Sequence, residues 1–520
     1  MTETAVPFEP RFGAFVIESL TLGMYGESRN AIREYIQNGF DSLRQAMDEK
    51  LITPEEARVD VEMDVDRKAL TIRDNGGGLR TENAASVLAA IGASNKDYRN
   101  NAGFRGIGRL AGIVFCDKLI FTTKAKDQKH VTKVVFDAKM LRAKLTPDST
   151  SEKDAAETLA ECVTATRYDA VTAGEHFFEV RMESLHNPPD ECLDVDAMRT
   201  YLSQVAPLPY DPAFQFADQI RQNAKDAGFE IESIRLFVKD GKRTPVELFK
   251  PYANTLAVKR ARAPITGIDF PVSPTKKWWG WISKKRASGA VKDPWKGIRV
   301  RIRNIQIDDT KVMREIFAES HLVDTPRSSY SRFADWYVGE IFVDPKAAIP
   351  NARRDGFEET QAWENMRNEL DEKIATPLGK QAYKTSKADQ LSVDNITRVM
   401  TALGDAVGLL EVEAAPTALI VEPLIEDAAA LRKRIAGAIT IAEPDELPAL
   451  EALAVRRGEL QRRLEVIYAN VPAHSCDEEI GEALEFMANE LFKAFRDRLA
   501  PQEWQRAKTI VTEVTGVRFD

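Results

Sequence analysis

Three segments that combine glycine with carboxylate or amide side chains lie in order near the start of this 520-residue chain. They read REYIQNGFDS (33–42), TIRDNGGGL (71–79) and NAGFRGIGRLAG (101–112). Glycine inside a helix or at a strand end weakens that element. It is therefore often found there because another backbone or a ligand must come close. Three such segments in so short a stretch constrain the fold more than any other feature of the sequence.

The first segment is predicted to be helical, although Gly39 costs about 1 kcal/mol there relative to alanine. At helical spacing, Glu34, Asn38 and Asp41 share one face, and the opposite face is apolar. A surface helix with its polar side in water is the simpler interpretation. The glycine favours a functional polar face instead, because a residue that breaks a local rule often marks a functional site.

The second segment places Asp74 at the end of a predicted strand, followed by Asn75 and three glycines (76–78). A hairpin turn needs one or two glycines, and three allow the backbone to lie directly against a ligand. A carboxylate at the floor of such a site can accept a hydrogen bond from an exocyclic amine, such as that of adenine. A glycine-rich β-turn is the alternative interpretation.

The third segment has Gly103, Gly106 and Gly108 ahead of an apolar, helix-like run. Backbone N–H groups in a glycine-rich turn at a helix start bind phosphate well. The spacing is neither a Rossmann fingerprint, since no short strand feeds into it, nor a Walker A loop, since no Gly-Lys-Ser/Thr follows. The residues between the second and third segments are numerous enough to fold over a nucleotide as a lid.

In this order and spacing, the three segments resemble the motifs of the GHKL ATPase superfamily, which includes gyrase, the ninety-kilodalton heat-shock chaperone, histidine kinases and MutL. REYIQNGFDS resembles the E-x-x-x-N box, DNGGGL the D-x-G-x-G box and GFRGIG the second glycine box. The resemblance implies a Bergerat-type α/β sandwich that binds and hydrolyses ATP with Mg²⁺.

The resemblance also implies roles for individual residues. Glu34 would polarise the attacking water, Asn38 would hold Mg²⁺ against the phosphates, and Asp74 would bind adenine. The sequence departs from the family at Ala93, where a lysine is expected, and Lys96 is the nearest substitute. The other residues expected at the ATP site are Asp41, Gly76, Gly78, Gly103, Phe104, Gly106 and Gly108.

Among the branches of the superfamily, the heat-shock chaperones resemble the most of this chain. A histidine kinase needs a histidine helix before the first motif, and the first histidine here is His130. The segment GEIFVDPKAAIPNARRDGFE (339–358) resembles the chaperone loop that carries a catalytic arginine. The match falls on Arg354, with Arg353 as the neighbouring alternative, and either would reach the γ-phosphate from a second domain. A solvated basic turn is the other interpretation.

The pattern of strands and helices predicts an α+β chain in three parts. Residues 1–225 are the predicted ATP-binding domain, 226–378 a second, transducer-like α+β domain, and 379–520 a helical C-terminal region. A β-hairpin is predicted at 58–64 and 68–73, a helix at 82–91, and a loop or short helix at 150–170. The strand IESIRLFV is assigned to the second domain, together with GIRVRIRNIQI and WYVGEIFVD.

The stretch 276–303 holds ten Lys or Arg and four Trp. Cations interleaved with aromatic side chains suit single-stranded nucleic acid. The alternative is a mobile insertion whose tryptophans anchor it to the core.

Composition restricts the function further. The net charge is −9, which argues against a chain that coats nucleic acid, and the four cysteines show neither zinc-ligand spacing nor a disulfide framework. The start of the sequence does not read as a secretory signal, and no run is long and apolar enough for a membrane span. The composition favours a cytoplasmic protein, and the resemblance to the heat-shock chaperones implies a homodimeric ATPase that acts as a chaperone-like switch on a protein client. A MutL- or MORC-like nucleic-acid clamp is the alternative.

Overall fold

The computed structural model describes most of the chain in segments that leave both termini out. It forms two compact units, Met1–Ala382 and Tyr383–Asp520. The described residues are 12–20, 29–92, 101–102, 106, 108–146, 154–170, 172, 174–241, 243–285, 287–319, 331–412, 416–442 and 444–471.

An eight-stranded sheet organises the N-terminal part of the first unit. Its strands lie in the order β5-β4-β3-β6-β2-β1-β7-β8, and all pairs are antiparallel except β1 with β7, which is parallel. The strands are β1 (Arg58–Asp64), β2 (Ala69–Asp74), β3 (Lys118–Lys124), β4 (His130–Asp137), β5 (Val163–Asp169), β6 (Phe177–Glu183), β7 (Arg235–Asp240) and β8 (Val246–Glu247).

Helices accompany this sheet, and the longest of them packs against its β1–β2 hairpin. They are α1 (Phe15–Leu20), α2 (Arg29–Asp48), α3 (Thr81–Ala89), α4 (Ala138–Lys144), α5 (Ala155–Cys162) and α6 (Val195–Val205). The hairpin at β1–β2 and the helix α3 confirm the corresponding predictions, with ends within two residues of those expected. Both elements were visible in the sequence because their apolar residues follow strand or helix periodicity.

Two strands were not placed correctly from the sequence. Residues 150–170 were expected to hold a loop or short helix, but the short helix α5 is followed by the edge strand β5. The strand in IESIRLFV, assigned to the second domain, is β7 and pairs with β1 in the first sheet. Before β7, the helix α7 (Ala217–Asp226) packs into the core of the second sheet. The chain therefore enters the second core with α7, which lies mostly before the predicted boundary at residue 225, and returns to the first sheet with β7, which lies after it.

The second sheet has six strands in the order β13-β12-β14-β11-β10-β9. Its parallel pair, β12 with β14, is joined through the helix α8 (Lys311–Glu319), and α9 (Gln361–Leu370) and α10 (Thr376–Gln390) follow. The strands are β9 (Thr255–Val258), β10 (Ala261–Asp269), β11 (Trp278–Lys285), β12 (Gly297–Ile302), β13 (Ile305–Ile307) and β14 (Val338–Val343).

The basic and aromatic stretch 276–303 forms central strands of this sheet. Trp278, Trp279 and Trp281 are all 0% exposed, and Arg299 and Arg301 are buried as well. Both earlier interpretations of the stretch are therefore wrong in one respect. The three tryptophans cannot stack on nucleic-acid bases, because they fill the core, and β11 and β12 are integral strands rather than an insertion.

A buried charge cluster joins β11, β12 and β14. Glu340 accepts hydrogen bonds from Lys250 Nζ (2.8 and 2.9 Å), from the Tyr210 hydroxyl (2.6 Å) and from Trp281 Nε1 (3.0 Å), and it pairs with Arg301. Burial by itself raises the pKa of Glu340, but the neighbouring Arg301 and Lys250 hold that pKa below its usual range. Burial and the neighbouring Arg301 lower the pKa of Lys250, so Arg301 is the buried cation that Glu340 chiefly compensates.

We expect Glu340→Gln to lower the free energy of unfolding by about 3–5 kcal/mol, because it leaves the buried Arg301 without a counter-charge and weakens the hydrogen bonds from Lys250. Urea unfolding followed by tryptophan fluorescence measures this change. The matched control is Glu62→Gln, which breaks an exposed pair with Lys239 (2.9 Å) and should cost less than about 1 kcal/mol. Equal destabilisation by the two variants would contradict this account of the cluster.

In the second compact unit, the described residues up to 471 include three long helices, α11 (Val393–Val412), α12 (Ala418–Ile441) and α13 (Leu447–Ala469). Leu453, Leu460 and Leu464 of α13 are buried in the core that the helices share. No helix in the described part of the chain has both the length and the apolar character needed to cross a membrane.

Candidate functional site

Gly39 allows helix α2 to approach the β1–β2 hairpin closely. A Cβ atom at this position would lie 3.3 Å from Val59 Cγ2 and 3.5 Å from Asp74 Cβ. The first distance is tighter than ordinary packing, so alanine would push the helix away from the sheet. The glycine thus holds the polar residues of α2 beside the end of β2, which is why a helix interior accepts it.

Asp74 is buried at the end of β2 and held from two sides. Its Oδ1 accepts a hydrogen bond from the Ser42 hydroxyl (2.8 Å) and another from the Gly76 N–H (3.0 Å). A Cβ at Gly76 would lie 2.1 Å from Ser42 Oγ, and one at Gly78 would lie 2.1 Å from the Lys124 carbonyl oxygen. Gly78 also has φ +64°, which favours glycine. The glycine segment therefore fixes the Asp74 carboxylate between α2 and β3.

Adjacent glycines in this segment should respond differently to substitution. We expect Gly76→Ala to cost about 1–3 kcal/mol of stability and to weaken ligand binding, because its Cβ overlaps Ser42 and the Asp74 carboxylate. Gly77→Ala is the matched control, since its Cβ would meet only Leu51 Cδ1 at 3.6 Å. Thermal unfolding of the two variants tests this difference, and a Gly77→Ala protein as unstable as Gly76→Ala would refute it.

The polar face of α2 is turned into the protein. Glu34 and Asp41 are 9% and 4% exposed, and Asn38 is half-buried. The Asp41 carboxylate accepts a hydrogen bond from the Ala102 N–H (2.7 Å), so it holds the start of the third glycine segment. A Cβ at Gly108 would lie 2.3 Å from Glu34 Oε2, and Gly108 opens a 3₁₀-helix (Gly108–Val114) rather than an α-helix.

The third segment is only partly described. Gly106 has φ +73°, and Gly108 lies against Glu34. Lys96, Gly103 and Phe104, which were also expected at the ATP site, lie outside the described residues.

Arg354 reaches Glu34 from the loop that follows β14. Its Nε lies 3.4 Å from Glu34 Oε1, and its guanidinium donates to the Ala102 carbonyl oxygen. Arg354 is 6% exposed and has φ +54°, a backbone conformation that is uncommon outside glycine. The Arg353 side chain is exposed, and only its carbonyl oxygen is held, by Arg33 at 3.0 Å. Of the two candidate arginines, the structure brings Arg354 to Glu34.

Sequence reasoning missed several residues that support this arrangement. Ser42, which holds Asp74, follows Asn38 by one helical turn, and that spacing could have identified it. His176 Nδ1 lies 2.7 Å from the Gly76 carbonyl oxygen, and the Tyr35 hydroxyl donates to the Arg109 carbonyl (3.0 Å). These two contacts join distant parts of the chain, so no local pattern indicated them.

The oxygen-bearing side chains of this site are compatible with a nucleotide that carries Mg²⁺. Within the described residues there is no cluster of three His, Cys, Asp or Glu side chains that could hold a metal ion by itself. Mg²⁺ in nucleotide sites takes most of its oxygens from phosphates and water and needs only one or two from the protein. Asn38, half-buried beside Glu34 on α2, can supply such an oxygen.

Comparison with known families agrees with the motifs. Residues 26–162 match the family described as "Histidine kinase-, DNA gyrase B-, and HSP90-like ATPase". The matched range contains all three glycine segments, and the description does not single out one branch of the superfamily. No curated protein matches the chain. The match supports a GHKL-type ATPase domain at these residues, and domains of this type bind and hydrolyse ATP.

Proposed function

We propose that the chain is a Mg²⁺-dependent ATPase in which a loop from the second sheet completes the active site on the first. The observation that carries this proposal is the ion pair between Glu34 and Arg354, which joins α2 to the loop after β14. The two residues are far apart in the sequence: Glu34 lies on a helix that packs against the first sheet, and Arg354 lies on a loop that follows a strand of the second. Hydrolysis of a γ-phosphate needs a carboxylate to accept a proton and a cation to compensate phosphate charge. Glu34 and Arg354 bring these two groups together beside a glycine-rich segment.

Each residue has a chemical task in this proposal. The Asp74 carboxylate accepts a hydrogen bond from the adenine amine, and the Gly76 N–H helps to hold that carboxylate in place. Glu34 accepts a proton from the attacking water, and Arg354 compensates charge that develops on the γ-phosphate. Mg²⁺, when bound with the nucleotide and Asn38, neutralises phosphate charge.

The Glu34–Arg354 pair also suggests how binding could be coupled to movement. Arg354 Nε lies 3.4 Å from an oxygen of the Glu34 carboxylate, the group proposed to accept the water proton. A γ-phosphate beside Glu34 would compete for the guanidinium and draw the loop of the second sheet toward the nucleotide. This is the basis for proposing a chaperone-like switch. A homodimer, a protein client and a cytoplasmic location belong to the same proposal, and they rest on the resemblance to heat-shock chaperones.

The nucleic-acid clamp has lost the feature that favoured it. Three of the four tryptophans of 276–303 are core residues, the fourth, Trp295, is half-buried against that core, and Arg299 and Arg301 are buried. Lys276 and Lys284 are exposed, but exposed lysines beside largely inaccessible aromatic side chains are ordinary protein surface. We therefore place the switch ahead of the clamp.

Asp74→Asn tests the nucleotide site directly. We expect ATP affinity to fall about tenfold or more, because the adenine amine loses a charged acceptor. Isothermal titration with a non-hydrolysable ATP analogue measures the affinity. Asp66→Asn, in the exposed turn of the β1–β2 hairpin, is the control and should bind as wild type does. If wild type binds the analogue and Asp74→Asn binds it equally well, Asp74 does not contact the base.

A further inference from the structure

Ser42 joins helix α2 to the carboxylate of Asp74 at the end of β2. Its hydroxyl donates to Asp74 Oδ1 at 2.8 Å, and the Gly76 N–H donates to the same oxygen at 3.0 Å. Asp74 is 4% exposed, so its hydrogen bonds come mainly from the protein rather than from bulk water. The charge on this carboxyl group therefore depends on its neighbours more than it would at the protein surface.

Two glycines pack closely against this pair of side chains. A Cβ at Gly76 would lie 2.1 Å from Ser42 Oγ and 2.8 Å from Asp74 Oδ1, and one at Gly39 would lie 3.7 Å from Asp74 Oδ2. His176 Nδ1 lies 2.7 Å from the Gly76 carbonyl oxygen and so anchors that glycine from its other end. The backbone thus leaves the carboxylate little room to turn, and the Ser42 proton stays directed at Oδ1.

The two donors on one oxygen have a consequence for the ligand. Hydrogen bonds donated to a carboxyl group favour its ionised form. An ionised carboxylate has no proton to give, so it can only accept hydrogen bonds. It therefore suits a base that presents an amine, and it repels a base that presents a carbonyl oxygen in the same place. A neutral carboxyl group accepts from the first base and donates to the second, so it discriminates poorly between them.

We propose that Ser42 determines which purine nucleotide the site accepts. By donating to Asp74, it makes the site select adenine, which presents an amine, over guanine or hypoxanthine, which present a carbonyl oxygen. Ser42 is a positioning residue, because it acts through Asp74 rather than by touching the base. The inference rests on the proposed ATP site and adds to it the means of selection among purines.

Isothermal titration of the full chain with ADP and with inosine diphosphate tests this role. Neither ligand has a γ-phosphate to hydrolyse, and the two differ only where the base carries an amine or a carbonyl with its neighbouring ring proton. We expect wild type to bind ADP about 10²-fold or more tightly, since a site built to pair with one polar group strongly rejects an analogue that lacks it. Ser42→Ala should narrow this ratio about fivefold or more, because Asp74 loses a hydrogen bond made to its charged form.

Two further variants complete the titration. Ser42→Cys replaces the hydroxyl by a weaker donor, so its ratio should fall between those of wild type and Ser42→Ala. It also keeps the test decisive if Ser42→Ala fails to fold. Ser86→Ala, which removes an exposed hydroxyl from α3, is the control and should keep the ratio of wild type. Thermal unfolding of each variant measures the loss of stability separately from the ratio.

The ratio of the two affinities separates a role in selection from a purely structural one. If the Ser42 variants lose stability but keep the wild-type ratio, the proposal is overturned, and Ser42 only ties α2 to β2. Equal affinity of wild type for ADP and inosine diphosphate would overturn it as well. If wild type binds neither diphosphate and does not hydrolyse ATP, the proposed function itself fails and this inference fails with it. ADP binding with an unchanged ratio in the variants contradicts the role of Ser42 alone.

Discussion

Replacing Glu34 by glutamine is expected to reduce ATP turnover by about 10²- to 10⁴-fold and to leave ATP binding nearly unchanged. The amide keeps the volume that fits against Gly108, but it cannot accept a proton from water at neutral pH. None of the contacts proposed for adenine involves this side chain. Phosphate release under saturating ATP measures turnover, and titration with a non-hydrolysable analogue measures binding.

The same helix offers a matched control. Asp48→Asn also removes one negative charge from α2, at an exposed position near the end of the helix, and should hydrolyse ATP as wild type does. If Glu34→Gln retains the turnover of Asp48→Asn, Glu34 is not the proton acceptor. If Glu34→Gln loses analogue binding together with turnover, the substitution has disturbed the site, and the role of Glu34 needs another test.

Arg354→Ala is expected to lower turnover by about 10²-fold or more with little effect on ATP affinity. The guanidinium is the only group of the second sheet shown in contact with Glu34 among the described residues, and charge on the γ-phosphate grows in the transition state. Single-turnover kinetics separates this chemical step from ATP binding and product release. The expected pattern is a slow chemical step with an unchanged affinity.

Two other cations of the same region complete this experiment. Lys346→Ala removes an exposed charge from the loop after β14 and should leave turnover unchanged. Arg353→Ala tests the neighbouring arginine, whose side chain is exposed. An inactive Arg353→Ala together with an active Arg354→Ala would move the catalytic role by one residue. Full activity in both arginine variants would mean that the second sheet does not supply a catalytic group.

Local patterns in the sequence predicted the elements around Asp74 well. The β1–β2 hairpin alternates apolar and polar residues, and the polar face of α2 repeats every three to four residues, so neighbours along the chain carry the information. The close approach at Gly39 could be inferred for the same reason, because glycine in a helix interior needs an explanation. These features require no knowledge of what the rest of the chain does.

Long-range pairing was not visible in the same way. Nothing near Arg235 indicates that β7 pairs with β1, since any strand of similar length and composition could lie at that edge. The tryptophans of β11 were misjudged because a strand buried on both faces shows no alternation, so adjacent cations suggested a surface. The partner that compensates Arg301, Glu340, lies 39 positions further along the chain. Charge partners at that distance have no signature in a single sequence.

The pairing of β1 with β7 has a consequence for how the chain is made. Residues 58–64 emerge early in synthesis, but the strand that covers their open edge, 235–240, emerges about 170 residues later. During that interval β1 presents unpaired N–H and C=O groups, which can pair with other chains. A ribosome that stalls before residue 240, or a fragment that ends near residue 220, would leave this edge open. Nascent chains of that length should therefore bind cellular chaperones more strongly than chains that extend past residue 250.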